Sequence, residues 1–280
     1  MQSSFPTPRT TVYDCEFDRA GLWSPSTRPV DRVAEFGLAG AKRDTSPGKL
    51  TMSDPSQSLF AAILDDDRAT VKALLEEDPR LPVHATQTEA RCESGIAHWI
   101  YVGDTALHVA AAGYRVEIAK MLLAAGADPD SAKNHRRSRP LHYASDGYLE
   151  SPFWDAKRQV AMIRLLLKAG ADLHARDKNG ATPLHRAVRT RCAAAVRCLL
   201  DAGSDATLQN KPGSTPFHLA VQNTGRGGSG AERAKAAQRE IIRTFLERGV
   251  SAALKDRNGK TVLDWARNES IRQLLSGNDS

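Results

Sequence analysis

The chain has 280 residues, of which 41% are hydrophobic, 26% are charged and only 6% are aromatic, which is typical of a soluble globular protein with an aliphatic core. No apolar run approaches the roughly 18 residues of a membrane-spanning helix, and the N-terminal sequence lacks the apolar stretch of a secretory signal. The net charge of +6 falls short of the concentrated basic surface that nucleic-acid binding requires, so nucleic acid is not the expected partner.

The four cysteines show neither a C-x-x-C pair nor the spacing of a disulfide framework. Reduced thiols are therefore expected, and with them a cytoplasmic location; a secreted bacterial factor that also acts by binding is the alternative. Cys192 and Cys198 lack further metal ligands at a suitable spacing, so they are expected to be core thiols. We expect no metal and no cofactor.

Residues 1–54 contain Pro, Ser, Thr and scattered charges without a sustained hydrophobic period, which predicts a disordered segment. Met52 is a candidate start of translation, which would make residues 1–51 an extension that is absent from the native protein. Residues 58–81 then show two short apolar helical patterns, which begin a domain that we place at residues 55–277.

A repeated motif dominates this domain. Four segments begin with a T/P-L-H type sequence around His108, His142, His185 and His218, and each ends in a Leu-Leu-x-x-Gly type sequence. The spacing between successive histidines is 34, 43 and 33 residues, so the second interval contains an insertion. A period in this range is typical of stacked repeats, because one pair of short helices cannot bury its apolar face alone.

Each part of the repeat has a physical reason. Thr182 offers a hydroxyl to free backbone N–H groups at a helix start, and Pro183 supplies a suitable φ where no N–H donor is needed. Gly126, Gly170 and Gly203 fit the left-handed position that ends a helix. A polar D-x-N-G turn then leads to the next unit.

These motifs resemble the ankyrin repeat, most closely in GATPLHRA at 180–187 and GSTPFHLA at 213–220. The resemblance implies an all-α solenoid of about six helix-turn-helix units with projecting hairpin loops. It also implies that the repeated histidines hydrogen-bond the neighbouring hairpin and take no part in catalysis. By the same resemblance, we expect a protein-interaction scaffold, not an enzyme, that is monomeric by itself.

The resemblance also indicates which residues would contact a partner. In this family, positions one, four and five after the histidine face the concave side, which predicts a binding stripe. A turn rich in arginine adds two candidates. An arginine pair near aromatic residues suits a protein or peptide partner with acidic character. The predicted partner-binding residues are Tyr143, Arg186, Arg189, Gln222, Asn223, Trp265, Arg136 and Arg137.

Three insertions interrupt the period, at 82–102, around the aromatic segment 148–154, and around the glycine-rich segment 224–231. The glycine-rich segment lacks the Lys-Ser/Thr ending of a phosphate-binding loop and is interpreted as a linker. Residues other than glycine follow the first helix in three successive units, which predicts longer first helices and a second pocket at the insertions. The pocket residues would be Tyr114, Tyr148, Trp154 and Arg191. A small-molecule-binding protein or an enzyme using this pocket is the alternative function.

Overall fold

The computed structural model describes residues 55–87, 90–92, 96, 98–149, 151–224 and 230–277, and the backbone of two short strands near the start of the chain. The chain divides into two compact units, Met1–Ser46 and Pro47–Ser280. In the first unit, β1 (Cys15–Phe17) pairs with β2 (Trp23–Pro25) in an antiparallel register. The predicted disorder of residues 1–54 otherwise falls outside the described residues and stays a prediction.

The second unit is a solenoid of six helix pairs, as the repeat predicted. The first helices of the pairs form one row, in which each contacts the next, and the second helices form another. The first-helix row consists of α1 (Pro55–Leu64), α3 (Ala106–Ala112), α5 (Pro140–Ser145), α7 (Pro183–Arg189), α9 (Pro216–Ala220) and α11 (Val262–Trp265). The second-helix row consists of α2 (Arg68–Glu77), α4 (Val116–Ala124), α6 (Ala156–Lys168), α8 (Ala193–Asp201), α10 (Glu232–Glu247) and α12 (Glu269–Leu275).

The repeated histidines hold successive units together, as the family resemblance implied. In α7 the His185 Nδ1 atom accepts a hydrogen bond from the Thr182 backbone N–H at 3.2 Å. The same ring donates from Nε2 to the carbonyl oxygen of Ser214 in the next unit, at 3.1 Å. His108, His142 and His218 repeat this arrangement. Burial lowers the pKa of His142 and that of His185 to about 4, so both rings are neutral at pH 7.

The core lies between the two helix rows and consists mainly of Leu, Ile, Val and Ala side chains. The largest of its fully buried side chains, in the part of the chain that the structure describes, are Phe217 of α9 and Phe245 of α10, whose stacked rings have centroids 4.8 Å apart. Both are completely buried. Because each helix covers its neighbours in both rows, the core is continuous from the first unit to the sixth.

The turns that project from four units form what we call the fingers, at residues 133–139, 176–181, 209–214 and 255–260. Neighbouring fingers are joined through their backbones. The N–H groups of Lys178, Lys211 and Arg257 donate to carbonyl oxygens of the preceding finger at 2.7, 2.9 and 3.1 Å. The fingers are therefore a continuous edge of the solenoid, not independent loops.

The three insertions take different forms. The first contains a short antiparallel hairpin of β3 (Ala90–Cys92) and β4 (His98–Ile100), preceded by a 3-10 turn at Leu81–Val83. The other two are used in part to lengthen the second helix, since α6 has 13 residues and α10 has 16 whereas α4 and α8 have 9 each.

The prediction that the first helices lengthen at the glycine substitutions is wrong. Tyr114 and Arg191 adopt the left-handed conformation themselves, with φ of 52° and 61°, so α3 ends at Ala112 and α7 ends at Arg189. The helix α5 is also short and ends at Ser145, before Tyr148. The strain of a left-handed residue, about 1–2 kcal/mol, is offset by the contacts of the two side chains described below.

Candidate functional site

Two of the predicted partner-binding residues are buried. Tyr143 is 3% exposed and Arg186 is 5% exposed. The expectation that these side chains lie on an open surface is therefore wrong. Both take part in polar networks on the side of the first-helix row that does not pack on the second-helix row, which we call the first-helix face.

Arg186 binds two carboxylates from different units. Its Nε and Nη2 atoms donate to Asp177 Oδ2 at 3.2 and 2.8 Å, and its Nη1 atom donates to Asp146 Oδ2 at 2.7 Å. Nη2 also donates to Ser138 Oγ at 2.9 Å. Burial opposes ionisation of Asp146, but Arg186, with His98 and Arg189, outweighs it and holds the pKa of Asp146 well below its usual value. The cluster is a charged tie between the third and fourth units.

Tyr143 belongs to a second buried network. Its hydroxyl donates to Asp104, with Oδ1 and Oδ2 at 2.9 and 2.8 Å. Asn134 Nδ2 also donates to Asp104 Oδ1, and the Tyr101 backbone N–H donates to Oδ2, both at 2.8 Å. Burial, and then the charge of Asp104, raises the pKa of Tyr143 far above its ordinary value, so its hydroxyl stays protonated.

The hairpin of the first insertion covers this part of the first-helix face. The His98 ring lies against the Tyr143 ring with centroids 4.5 Å apart, and His98 Nε2 lies 3.9 Å from Asp146 Oδ2. Ile96 and Ile100 are 2% and 5% exposed. A Cβ atom at Gly113 would collide with Ile96 Cγ2, so glycine is needed there for the insertion to approach α3. The repeat pattern does not predict this contact, and the only signal for it in the sequence is the pair of isoleucines at 96 and 100 in a polar connector.

The first-helix face is more open in the fourth to sixth units. Arg189, Gln222, Asn223 and Trp265 are all partly exposed. Arg189 Nη2 lies 3.7 Å from Asp146 Oδ1. Trp265 Nε1 donates to Asp256 Oδ2 at 3.1 Å, which fixes the indole with part of its surface accessible. The structure thus brings the four remaining stripe residues to one side of the solenoid.

Tyr114 and Arg191 close the ends of the short first helices of the next units. The Tyr114 hydroxyl donates to the carbonyl oxygen of Asp146 at 2.5 Å, just after α5. Arg191 donates to the carbonyl oxygens of Leu219, Ala220 and Gln222 at 3.2, 3.3 and 2.8 Å, at the end of α9. Helix ends leave carbonyl groups unpaired, and these two side chains satisfy them. Both residues therefore have a structural role.

The other two residues of the predicted second pocket, Tyr148 and Trp154, differ in solvent exposure. Tyr148 is 61% exposed, and its neighbour Phe153 is 51% exposed. Trp154 instead packs over Gly147, donates from Nε1 to Gln159 Oε1 at 3.1 Å and has the Arg233 guanidinium 5.1 Å from its ring. A shallow depression of about 560 Å³ lies elsewhere, between the C-terminal ends of α8 and α10 and the turns that follow them.

The two predicted residues of the arginine-rich finger, Arg136 and Arg137, differ in solvent exposure. The Arg136 guanidinium lies 4.9 Å from the centre of the Tyr101 ring and donates to the Tyr101 hydroxyl at 2.5 Å, so it is half-buried. Arg137 is exposed and takes a left-handed φ of 51°, which directs the turn. Of the pair, Arg137 presents its charge to solvent.

The remaining candidate chemistry is structural. Cys192 and Cys198 are free, buried thiols, and burial raises the pKa of Cys192 to about 11. Within the described ranges, no group of three or more His, Cys, Asp or Glu residues is placed to hold a metal ion. In that same part of the chain, no helix is long and apolar enough to cross a membrane.

One protein-family model matches the chain. A family model described as ankyrin repeats in three copies matches residues 58–151 and 154–229, which together exceed half of the chain. The matched residues run from α1 to the loop after α9. A search of curated proteins found no match to the chain.

Proposed function

The chain belongs to the ankyrin-repeat family, and we propose that it is a non-enzymatic scaffold that binds a partner protein on the open part of its first-helix face. Ankyrin repeats are generally protein–protein interaction modules. The single observation that supports this site is that Arg189, Gln222, Asn223 and Trp265 stay accessible together, whereas the first insertion covers the preceding units. A fixed, half-exposed indole beside polar side chains has the character of an interaction hot spot.

We propose an acidic protein or peptide partner, because Arg189 on this face and Arg137 on the first finger both have exposed surface. We further propose that the protein works in the cytoplasm, where its buried thiols stay reduced, and that it is monomeric without its partner.

A peptide library displayed on phage and selected on the immobilised protein tests the site. Selected peptides should bind Gln222→Ala and Asn223→Ala variants at least about tenfold more weakly, since truncation at an interface hot spot costs about 2 kcal/mol or more. Gln273→Ala is the matched control, because Gln273 is exposed on α12 in the second-helix row. Selected peptides that bind the Gln222 and Asn223 variants as tightly as the control would show that the proposed face is not the binding site.

A further inference from the structure

The positive charge of the chain is concentrated on the fingers. The four finger segments contain ten Lys and Arg residues and two Asp residues, although the whole chain has a net charge of only +6. The remaining residues therefore comprise 29 basic and 31 acidic residues, a net charge of −2. Counting charge along the sequence hides this, because the four segments are far apart in the chain and come together only in the solenoid.

The two acidic residues of the fingers point inward. Asp177 Oδ1 accepts the backbone N–H groups of Asn179 and Ala181 at 2.8 and 2.9 Å, while Arg186 binds its other oxygen. Asp256 is buried in the same way and binds Trp265. Each aspartate is used within the protein, so neither neutralises the cations on the outer side of the fingers.

The corresponding position in the other two fingers is neutral. Asn134 Oδ1 accepts the Ser138 backbone N–H at 3.0 Å, and Asn210 Oδ1 accepts that of Ser214 at 2.9 Å. The exposed cationic side chains of the fingers form what we call the basic ridge. It consists of Lys133, Arg137, Arg176, Lys178, Lys211, Lys255, Arg257 and Lys260.

The ridge is held at a fixed spacing. The backbone hydrogen bonds from Lys178, Lys211 and Arg257 join each finger to the one before it. Arg176 Nη1 adds a bond to the carbonyl oxygen of Gln209 at 2.7 Å. Packed helices lie about 8–10 Å apart, so a cation recurs at about that interval along the ridge. A peptide in the polyproline II conformation rises about 3.1 Å per residue with three residues per turn, so every third side chain points the same way and would meet the next finger.

We propose that the basic ridge binds an extended acidic segment of a partner protein, with a carboxylate at about every third residue. This rests on the proposed function, since the ridge borders the first-helix face and would guide the same partner. Single-stranded nucleic acid fits less well, because the four finger segments contain no Phe, Tyr or Trp on which bases could stack.

Fluorescence anisotropy with labelled synthetic peptides of about 12 residues, which span about 37 Å in the polyproline II conformation, tests the ridge. One peptide has Asp at every third position among Gly and Ser. A second has the same composition with its Asp residues together at one end, and a third has Asn in place of Asp. We expect the periodic peptide to bind most tightly and the Asn peptide not to bind. Equal affinity for the periodic and the clustered Asp peptides would overturn the proposed register.

A charge-matched pair of variants locates the binding. Lys178→Glu with Lys211→Glu should weaken binding of the periodic peptide about tenfold, which corresponds to about 1.4 kcal/mol. Lys157→Glu with Lys168→Glu changes the net charge equally on exposed positions of α6 and should have less than about a twofold effect. Lys178→Gln with Lys211→Gln should give an intermediate loss of affinity. Because it removes the two charges without reversing them, it still tests the ridge if the Glu variant misfolds.

Three results would reject the ridge. Equal losses in the ridge and α6 variants would mean non-specific charge attraction, and no binding of the periodic peptide would mean that there is no acidic site. Tighter binding of an oligo-dT strand that displaces the peptide would identify nucleic acid as the ligand. If one of these three results is found while the phage-selected peptides still depend on Gln222 and Asn223, only the ridge proposal fails. If the periodic peptide depends on the ridge while the phage-selected peptides do not depend on Gln222 and Asn223, only the proposed binding face fails.

Discussion

Replacing Arg186 by methionine tests whether its buried charge holds the third and fourth units together. The substitution keeps an unbranched side chain but leaves Asp146 and Asp177 without the guanidinium that binds both. Removing one partner of a buried ion pair costs about 3–5 kcal/mol, because the remaining charge stays buried and unpaired. Since a domain is stable by about 5–15 kcal/mol, we expect a large loss of the free energy of unfolding.

Urea unfolding followed by circular dichroism at pH 7 measures this loss. Arg197→Met is the control, because Arg197 forms an ion pair of 2.6 Å with Glu240 on the exposed side of the second-helix row and should cost less than about 1 kcal/mol. Adding Asp146→Asn and Asp177→Asn to Arg186→Met should recover part of the loss by removing both charges. A loss below about 1 kcal/mol for Arg186→Met alone would refute the buried network.

Three further predictions concern stability. Arg191→Ala should lower the free energy of unfolding by about 2 kcal/mol in urea titrations, because the α9 carbonyl groups lose their donor, and Arg191→Gly should recover about 1 kcal/mol of strain. Gly147→Ala should lower the free energy of unfolding by about 1–3 kcal/mol, since the added Cβ would collide with Cys192 Sγ and lie 2.7 Å from Trp154 Nε1. In the control Gly126→Ala, the added Cβ meets no atom within 4 Å, so only backbone strain should lower the free energy of unfolding. Lowering the pH from 7 to 5 should destabilise the fold, because histidines of the unfolded chain bind protons near pH 6.5 whereas His142 and His185 of the folded chain stay neutral down to about pH 4. Each of the two histidines should lower the free energy of unfolding by about 2 kcal/mol at pH 5. A free energy of unfolding that does not fall over this range would contradict their burial.

The regular part of the fold could be predicted from sequence because its signals are local. Thr182, Pro183 and Gly203 act on the backbone next to them, so a repeated motif predicts the helix ends and hence the six pairs. The exposure of the site could not be predicted in this way. Whether Tyr143 is open depends on His98, which is 45 residues earlier in an insertion with no repeat to align it.

The glycine substitutions show a second limit of local reasoning. A residue other than glycine after a helix is expected to disfavour the left-handed turn, which led to the wrong prediction of longer helices. In the structure the cost is offset at a distance, since Tyr114 and Arg191 each reach the end of the first helix of the next unit. Tyr114 and Arg191 therefore lie in the units just before those with insertions. In the units with insertions the first helix is short, and its carbonyl groups need donors.

The two halves of the first-helix face differ in how much of their surface is accessible. In the second and third units, the hairpin insertion covers the first-helix face, and the buried carboxylates of Asp104 and Asp146 are bound by Tyr143 and by Arg186 of the fourth unit. In the proposed function the partner binds at the fourth to sixth units, where Trp265 is fixed by Asp256 and the fingers alongside are joined by backbone hydrogen bonds. A site that is already ordered loses little entropy when a partner binds, so a short segment of complementary charge could bind there without remodelling the solenoid.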